Sequence, residues 1–209
     1  MCKFYSAILT KNGDLFHNPF TTSHEDIIDE FNLNDNMRDN FIRLEFVPKR
    51  KMFEIDFYEL KVDESITPEW FDENMKEIII NRLKNIIKSL IISDDVKLLN
   101  GRCAILVGSS NLRKVKNSII YSMWENSKVG ELRENSEVGV LRENSEVGVL
   151  RENSKVGELR ENSKVGVLRE NSKVGVLWEN SEVGELWENS EVGELWENSE
   201  IKKDNRIKE

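Results

Sequence analysis

From residue 125 onward, apolar and polar residues follow a fixed nine-residue rhythm, Glu-Asn-Ser-x-Val-Gly-x-Leu-x. It starts at Glu125 and recurs at Glu134, Glu143, Glu152, Glu161, Glu170, Glu179 and Glu188, with a partial copy from Glu197. A fixed short period means one structural unit stacked on itself, the signature of a solenoid. Nine residues are two and a half helical turns, so an apolar stripe on a helix would change face at every copy. Gly and Asn-Ser are also poor interior helix residues. The phrase therefore predicts a β-solenoid with Val and Leu in the core. Gly and Asn-Ser are expected at the bends and the variable positions outside. Stacked copies would place Asn above Asn in hydrogen-bonded ladders.

The fourth position predicts how many phrases close one coil. It runs Lys128, Glu137, Glu146, Lys155, Lys164, Lys173, Glu182, Glu191, Glu200. Stacking each phrase on the next would oppose like charges in five of eight pairs. Stacking each on the next but one does so in two of seven. Like charges directly opposed on neighbouring strands are destabilising. Glu131, Glu158, Glu185 and Glu194, at the seventh position, are never two phrases apart. Both columns predict two phrases, about 18 residues, per coil, giving about five coils and a rod about 24 Å long. The ninth position then stacks Trp178 with Trp196 on one side and leaves Trp187 on the other. Arg160 should lie against Trp178 and Arg169 against Trp187 as cation–π neighbours.

The first hundred residues have mixed periodicity. Residues 3–10 (KFYSAILT) read as a strand turning at Asn12-Gly13 into Leu15-Phe16. Ser23 caps a short helix carrying Ile27, Ile28, Phe31 and Leu33. Residues 41–47 (FIRLEFV) alternate as a half-buried strand, and Phe53, Ile55 and Phe57 begin a second alternating run within residues 52–62. Thr67-Pro68 should start a long helix, with Thr as cap and Pro at the first position, running to about residue 92. These elements predict a small α+β domain, a sheet with two helices on one face. Residues 116–124 (KNSIIYSMW) form a degenerate phrase, with Asn117-Ser118, Ile120 and Met123 in the places of Asn-Ser, Val and Leu. The expected organisation is thus an α+β N-terminal domain (1–97), capping coils (98–124), an all-β solenoid (125–201) and a charged tail (202–209).

Composition narrows the function. Two cysteines, Cys2 and Cys103, argue against a disulfide framework and point to a reducing compartment, the cytoplasm. No apolar run spans a bilayer and residues 1–16 lack signal-peptide features, so no membrane partner is expected. Of the net charge of −9, all lies in residues 125–201, with 18 Glu against nine Lys and Arg. Residues 179–200 hold eight Glu and no Lys or Arg. Such a surface repels nucleic acid and attracts cationic partners. Trp178, Glu182, Glu185, Trp187, Glu191, Glu194 and Trp196 are the candidate partner-binding residues. The open last coil at residues 188–201 also offers an edge through which copies could associate.

No catalytic, cofactor or metal site is expected. A calcium-binding β-roll shares the two-phrase turn but needs paired Gly and Asp, and residues 125–201 contain no Asp. Cys2, His17, His24 and Cys103 lack zinc-ligand spacing, and His24 is expected to be exposed. Ice binding favours an uncharged Thr-rich face, which is missing here. Hexapeptide acyltransferases have a different period.

Residues 3–7 with Asn12-Gly13, Ser23-His24-Glu25-Asp26, residues 41–46 and Thr67-Pro68-Glu69-Trp70-Phe71 resemble the front domain of uncharacterised bacterial and phage proteins. In that group a similar front precedes short tandem phrases containing Asn-Ser or Asn-Ala. The resemblance implies an α+β domain fused to a repetitive β-solenoid, and no activity. Three functions follow for testing: a non-enzymatic interaction or scaffold protein, an acidic decoy resembling DNA that inhibits a DNA-binding enzyme, and an enzyme seated in the N-terminal domain.

Overall fold

A computed structural model of the chain describes residues 4–33 and 40–206. Cys2, Lys3 and the tail residues 207–209 lie outside the described residues. The chain divides into two compact units, Met1–Ser89 and Leu90–Glu209.

The first unit is a four-stranded antiparallel sheet with two helices. Its strands are β1 (Ser6–Thr10), β2 (Leu15–Phe16), β3 (Phe41–Pro48) and β4 (Tyr58–Val62), in the order β2-β1-β3-β4. Gly13 makes the β1–β2 turn at φ +86°, as Asn-Gly predicts. Helix α1 (His24–Glu30) starts at Ser23, whose Oγ accepts the Asp26 N–H at 3.2 Å. Its Ile27 and Ile28 pack with Ile8 and Phe41. Ala7, Leu9, Ile42, Leu44 and Phe46 alternate with that set and are also fully buried. The sheet is thus covered on both faces, not on the one expected.

Two local expectations fail. Phe53, Ile55 and Phe57 do not alternate in a strand. Residues 55–57 form a 3₁₀ turn, and β4 begins only at Tyr58. The long helix α2 (Glu73–Leu90) does not start at Thr67-Pro68. Those residues sit in a separate turn, closed by Phe71 N–H to the Pro68 carbonyl at 3.0 Å. Asp72 caps the helix instead, its Oδ1 accepting the Met75 N–H at 2.8 Å. The helix buries Ile79, Leu83 and Ile87 and is tied down by Arg82, which donates to the Gly13 carbonyl at 2.7 Å.

The second unit is a two-sided parallel β-solenoid. One sheet contains β5 (Ile91–Ile92), β7 (Cys103–Leu106), β9 (Ile119–Met123), β11 (Glu137–Leu141), β13 (Lys155–Leu159), β15 (Lys173–Leu177) and β17 (Glu191–Leu195). The other contains β6 (Val96–Asn100), β8 (Asn111–Lys116), β10 (Lys128–Arg133), β12 (Glu146–Leu150), β14 (Lys164–Leu168), β16 (Glu182–Leu186) and β18 (Glu200–Asp204). Consecutive phrases go to opposite sheets and neighbours in a sheet are two phrases apart, as in Val129↔Val147 and Val138↔Val156. Ile120 and Met123 occupy the Val and Leu places predicted for them, opposite Val138 and Leu141. Solenoid strands begin at Ile91, ahead of the boundary expected at residue 97, and the supposed tail supplies β18. Seven strands per sheet make a rod about 29 Å long.

The phrase divides its labour differently from the expectation. Val and Leu columns fill the core, with Ser buried at the corners from Ser110 to Ser190. Gly is not at a bend. It lies in mid-strand between Val and the outward seventh residue, and the ladder skips it. There the backbone of successive coils comes close: a Cβ on Gly148, Gly157 or Gly175 would stand 2.5–2.6 Å from the carbonyl oxygen of the glycine two phrases earlier. The bend is made by the leading Glu, which adopts φ of 58–62° in every copy.

A left-handed Glu costs about 1 kcal/mol or more. The structure offsets it with a ladder between coils. Corner N–H groups point along the rod and meet the Glu carboxylate of the next coil: Glu125 N–H to Glu143 at 2.7 Å, Glu134 to Glu152 at 2.6 Å, Glu143 to Glu161 at 2.5 Å, Glu152 to Glu170 at 2.6 Å and Glu170 to Glu188 at 2.6 Å, whereas Glu179 Oε2 is buried without a partner. Such charge-assisted bonds are worth about 1.5–3 kcal/mol each. The Asn ladder is slight by comparison, with Asn189 donating to Asn171 at a long 3.5 Å.

Candidate functional site

The fourth-position column pairs as the charge count requires. Lys128 meets Glu146 at 2.9 Å, Lys164 meets Glu182 at 3.0 Å and Lys173 meets Glu191 at 2.6 Å. The two like-charged neighbours are Lys155↔Lys173 and Glu182↔Glu200. Lys202 relieves the second by reaching Glu182 at 2.9 Å. These lysines hold the Glu182 carboxyl below its usual value of 4.5, Lys202 foremost and then Lys164. Arg133 does the same for Glu131, and Lys116 for Glu134. Depressed folded values stabilise the array above the ordinary carboxylate range. That contribution is lost as pH falls through the folded values. Melting temperature is therefore expected to be flat near neutrality and to fall below pH 4.5, and a thermal melt series from pH 7 to 3 checks it.

The ninth position lines the two corners where the chain leaves each sheet. One column reads Trp124, Arg142, Arg160, Trp178, Trp196; the other Arg133, Arg151, Arg169, Trp187, Asn205. Trp178 and Trp196 stack at 5.6 Å and 12°. Arg160 lies 5.7 Å from the Trp178 ring and Arg169 lies 5.8 Å from that of Trp187, as the two-phrase coil predicts. Arg142 similarly covers the Trp124 ring at 5.0 Å.

A second coupling joins the seventh and ninth positions. Each seventh-position Glu serves the residue two places on: Glu131 accepts from Arg133 at 2.8 Å and Glu158 from Arg160 at 2.7 Å. Glu185 accepts the Trp187 indole N–H at 2.7 Å, and Glu194 that of Trp196 at 2.9 Å. Where the seventh residue is Val, the partner is missing: Arg151 Nε and Trp178 Nε1 are buried and unbonded. Val176→Gln should supply Trp178 with an acceptor without adding charge between Glu158 and Glu194, and so stabilise the array by about 1 kcal/mol. Denaturant unfolding monitored by tryptophan fluorescence measures this.

The seven candidate residues therefore do not form one patch. Trp178, Trp196 and Glu194 share one corner; Trp187 and Glu185 share the other. Glu182 and Glu191 stand on opposite sheets, each held by a Lys. Exposure singles out the last coil: Leu195 is 43% and Trp196 49% exposed, whereas Leu186 is fully buried. The difference arises because β18 covers β16, while β17 has no strand on its outer side among the described residues. The signal was present in Glu200-Ile201, which repeats the Glu-Val of the phrase.

The histidines of the first unit are held by protein groups. His24 is buried, not exposed as expected, with Nε2 3.0 Å from the Leu44 carbonyl and Nδ1 3.4 Å from Asp63. His17 Nδ1 lies 2.7 Å from the Tyr5 hydroxyl, and burial, with Arg82, pushes its pKa down. Burial raises that of Cys103. No group of three or more metal-ligating side chains occurs among the described residues, and no helix there is long and apolar enough to cross a membrane. No family model, curated protein or solved structure matches the chain.

Proposed function

We propose that the chain is a non-enzymatic interaction protein, acting in a reducing compartment such as the cytoplasm. Its solenoid presents a repeated surface, and its acidic, tryptophan-bearing end makes the contact. The observation that carries this reading is the exposed Trp196, stacked on Trp178 and following the last strand of its sheet, which has no strand on its outer side among the described residues. An exposed aromatic beside carboxylates suits a cationic protein partner, since indole faces and acids both attract Lys and Arg. Near-identical copies also suit a rod or binding surface, which tolerates changes in length better than a cleft.

The decoy reading is the weaker one. A DNA mimic needs unpaired negative charge along its length, and Lys128, Lys164 and Lys173 pair with Glu146, Glu182 and Glu191. Affinity capture with the whole chain tests the proposal, comparing the wild type with Trp178→Ala, Trp187→Ala and Trp196→Ala and with a deletion of two whole phrases that preserves sheet alternation. Partners lost with the tryptophans support it. Capture indifferent to all three tryptophans and to copy number rejects it.

A further inference from the structure

Strands β16 and β17 have the same sequence, Glu-Val-Gly-Glu-Leu, and each is followed by Trp. They differ in what covers them. On β16 lies β18, Glu200-Ile201-Lys202-Lys203-Asp204. Ile201 packs over Val183, Lys202 reaches Glu182 at 2.9 Å and Lys203 stands opposite Glu185. Asn205 follows over Trp187 and donates to Glu185 at 3.4 Å. The molecule thus displays, on one half of its last coil, the chemistry that this strand sequence accepts: an extended, lysine-bearing segment with an apolar residue facing the core. On the other half the same surface is bare among the described residues.

We propose that the outer edge of β17, from Val192 to Trp196, receives an extended basic segment of a partner protein, which adds itself as the next parallel layer. The proposal rests on the interaction reading above and names the partner's chemistry. Strand addition supplies main-chain hydrogen bonds, and alternate side chains supply selectivity. An apolar residue would cover Val192, another would cover Leu195, and lysines would face Glu191 and Glu194. A guanidinium would lie on the free face of Trp196, as Arg160 lies on Trp178. Arg206 donates to the Ser190 carbonyl at 3.1 Å, which closes the edge just before Val192 and fixes where the added segment begins. A second copy of β17 is a poor occupant. Antiparallel pairing would set Glu191 and Glu194 against the same glutamates, and like charges opposed across strands are destabilising.

The probe is a blocked, fluorescently labelled peptide, Lys-Ile-Lys-Lys-Leu-Arg, titrated into the whole chain and followed by anisotropy. Saturable binding is expected. It should weaken about tenfold or more with Leu195→Asp, with Trp196→Ala, or when the peptide's basic residues are replaced by Glu. Lys128→Ala, on β10 of the other sheet, should leave it within about twofold. Glu194→Gln keeps an acceptor for the Trp196 indole, so its fold is secure, and the loss of charge alone should weaken binding several-fold. Circular dichroism confirms that each variant is folded. Four results would each overturn the proposal: no saturable binding, equal affinity for the acidic peptide, indifference to Leu195 and Trp196, or a dimer in sedimentation that Leu195→Asp dissolves. If the peptide fails while tryptophan-dependent capture persists, only the β17 assignment falls; if capture also ignores the tryptophans, the interaction reading falls with it.

Discussion

Replacing Gly157 with alanine is expected to destabilise the array by about 3 kcal/mol or more. On propensity alone the sign should be opposite, because removing a glycine from an extended segment usually stabilises a protein by about 0.4–1 kcal/mol. The geometry reverses it. The new Cβ would stand 2.5 Å from the Gly139 carbonyl oxygen, 3.5 Å from its carbon and 3.8 Å from its Cα. These are backbone atoms held by strand pairing on both sides, so nothing flexible can step aside. Side chains do occupy the same place outside the regular array: Lys202 in the last coil, where no described strand lies above, Tyr121 where the β7–β9 register shifts, and Arg113 in the entry strand β8; within the repeated phrases the place is always Gly. The adjacent Glu158→Ala is the control: it removes a half-exposed ion pair with Arg160 and should cost about 1 kcal/mol at most. Urea unfolding of the three proteins measures the difference. Equal stability of Gly157→Ala and the wild type would show that the coils do not approach as described.

Truncating Leu159 to alanine is expected to cost about 2–5 kcal/mol. Leu159 is fully buried and stacked between Leu141 and Leu177. The column cannot close around the gap, because the neighbouring leucines are fixed by strands paired on either side. The melting temperature should drop on the order of 10 °C. Solenoid stability is a sum of local and nearest-neighbour contributions. Hydrogen exchange should therefore rise most in β11, β13 and β15, and least in β5 and β6. A loss spread evenly over every strand would point to a different packing.

The core and the coil length were legible in the sequence because each is governed by a periodic quantity. Val and Leu recur at fixed places. The Lys and Glu of the fourth position change sign between alternate phrases more often than between adjacent ones. Stacking of Trp178 on Trp196 followed from that spacing. Individual roles within the phrase were less legible. Gly suggests a bend, but its lack of a side chain is what matters: the backbone of the preceding coil occupies that space. Glu does not stand out as the bend residue, because a left-handed glutamate is locally unfavourable. Its stabilising bond goes to a residue two phrases away, which local propensity cannot register. The binding candidates come from composition and fall on two corners and two sheets; the two-phrase coil already separates Trp187 from Trp178 and Trp196, whereas which of them is exposed depends on the strand that β18 adds over β16. In the N-terminal unit, Thr67-Pro68 carries the same cap chemistry as Asp72.

The central claim is that successive phrases alternate between two sheets, so that every second phrase advances the rod by one strand spacing. Spin labels at Lys128 and Glu200 measure this advance directly. Strands β10 and β18 are separated by β12, β14 and β16, which makes four spacings, or about 19 Å between the labelled backbone sites. A rod with one phrase per coil would put eight spacings between them, about 38 Å. A narrow distribution centred at about 19 Å, widened only by the label linkers, is the predicted result. A distribution centred at about 38 Å, or one as broad as an unfolded chain gives, would contradict the account.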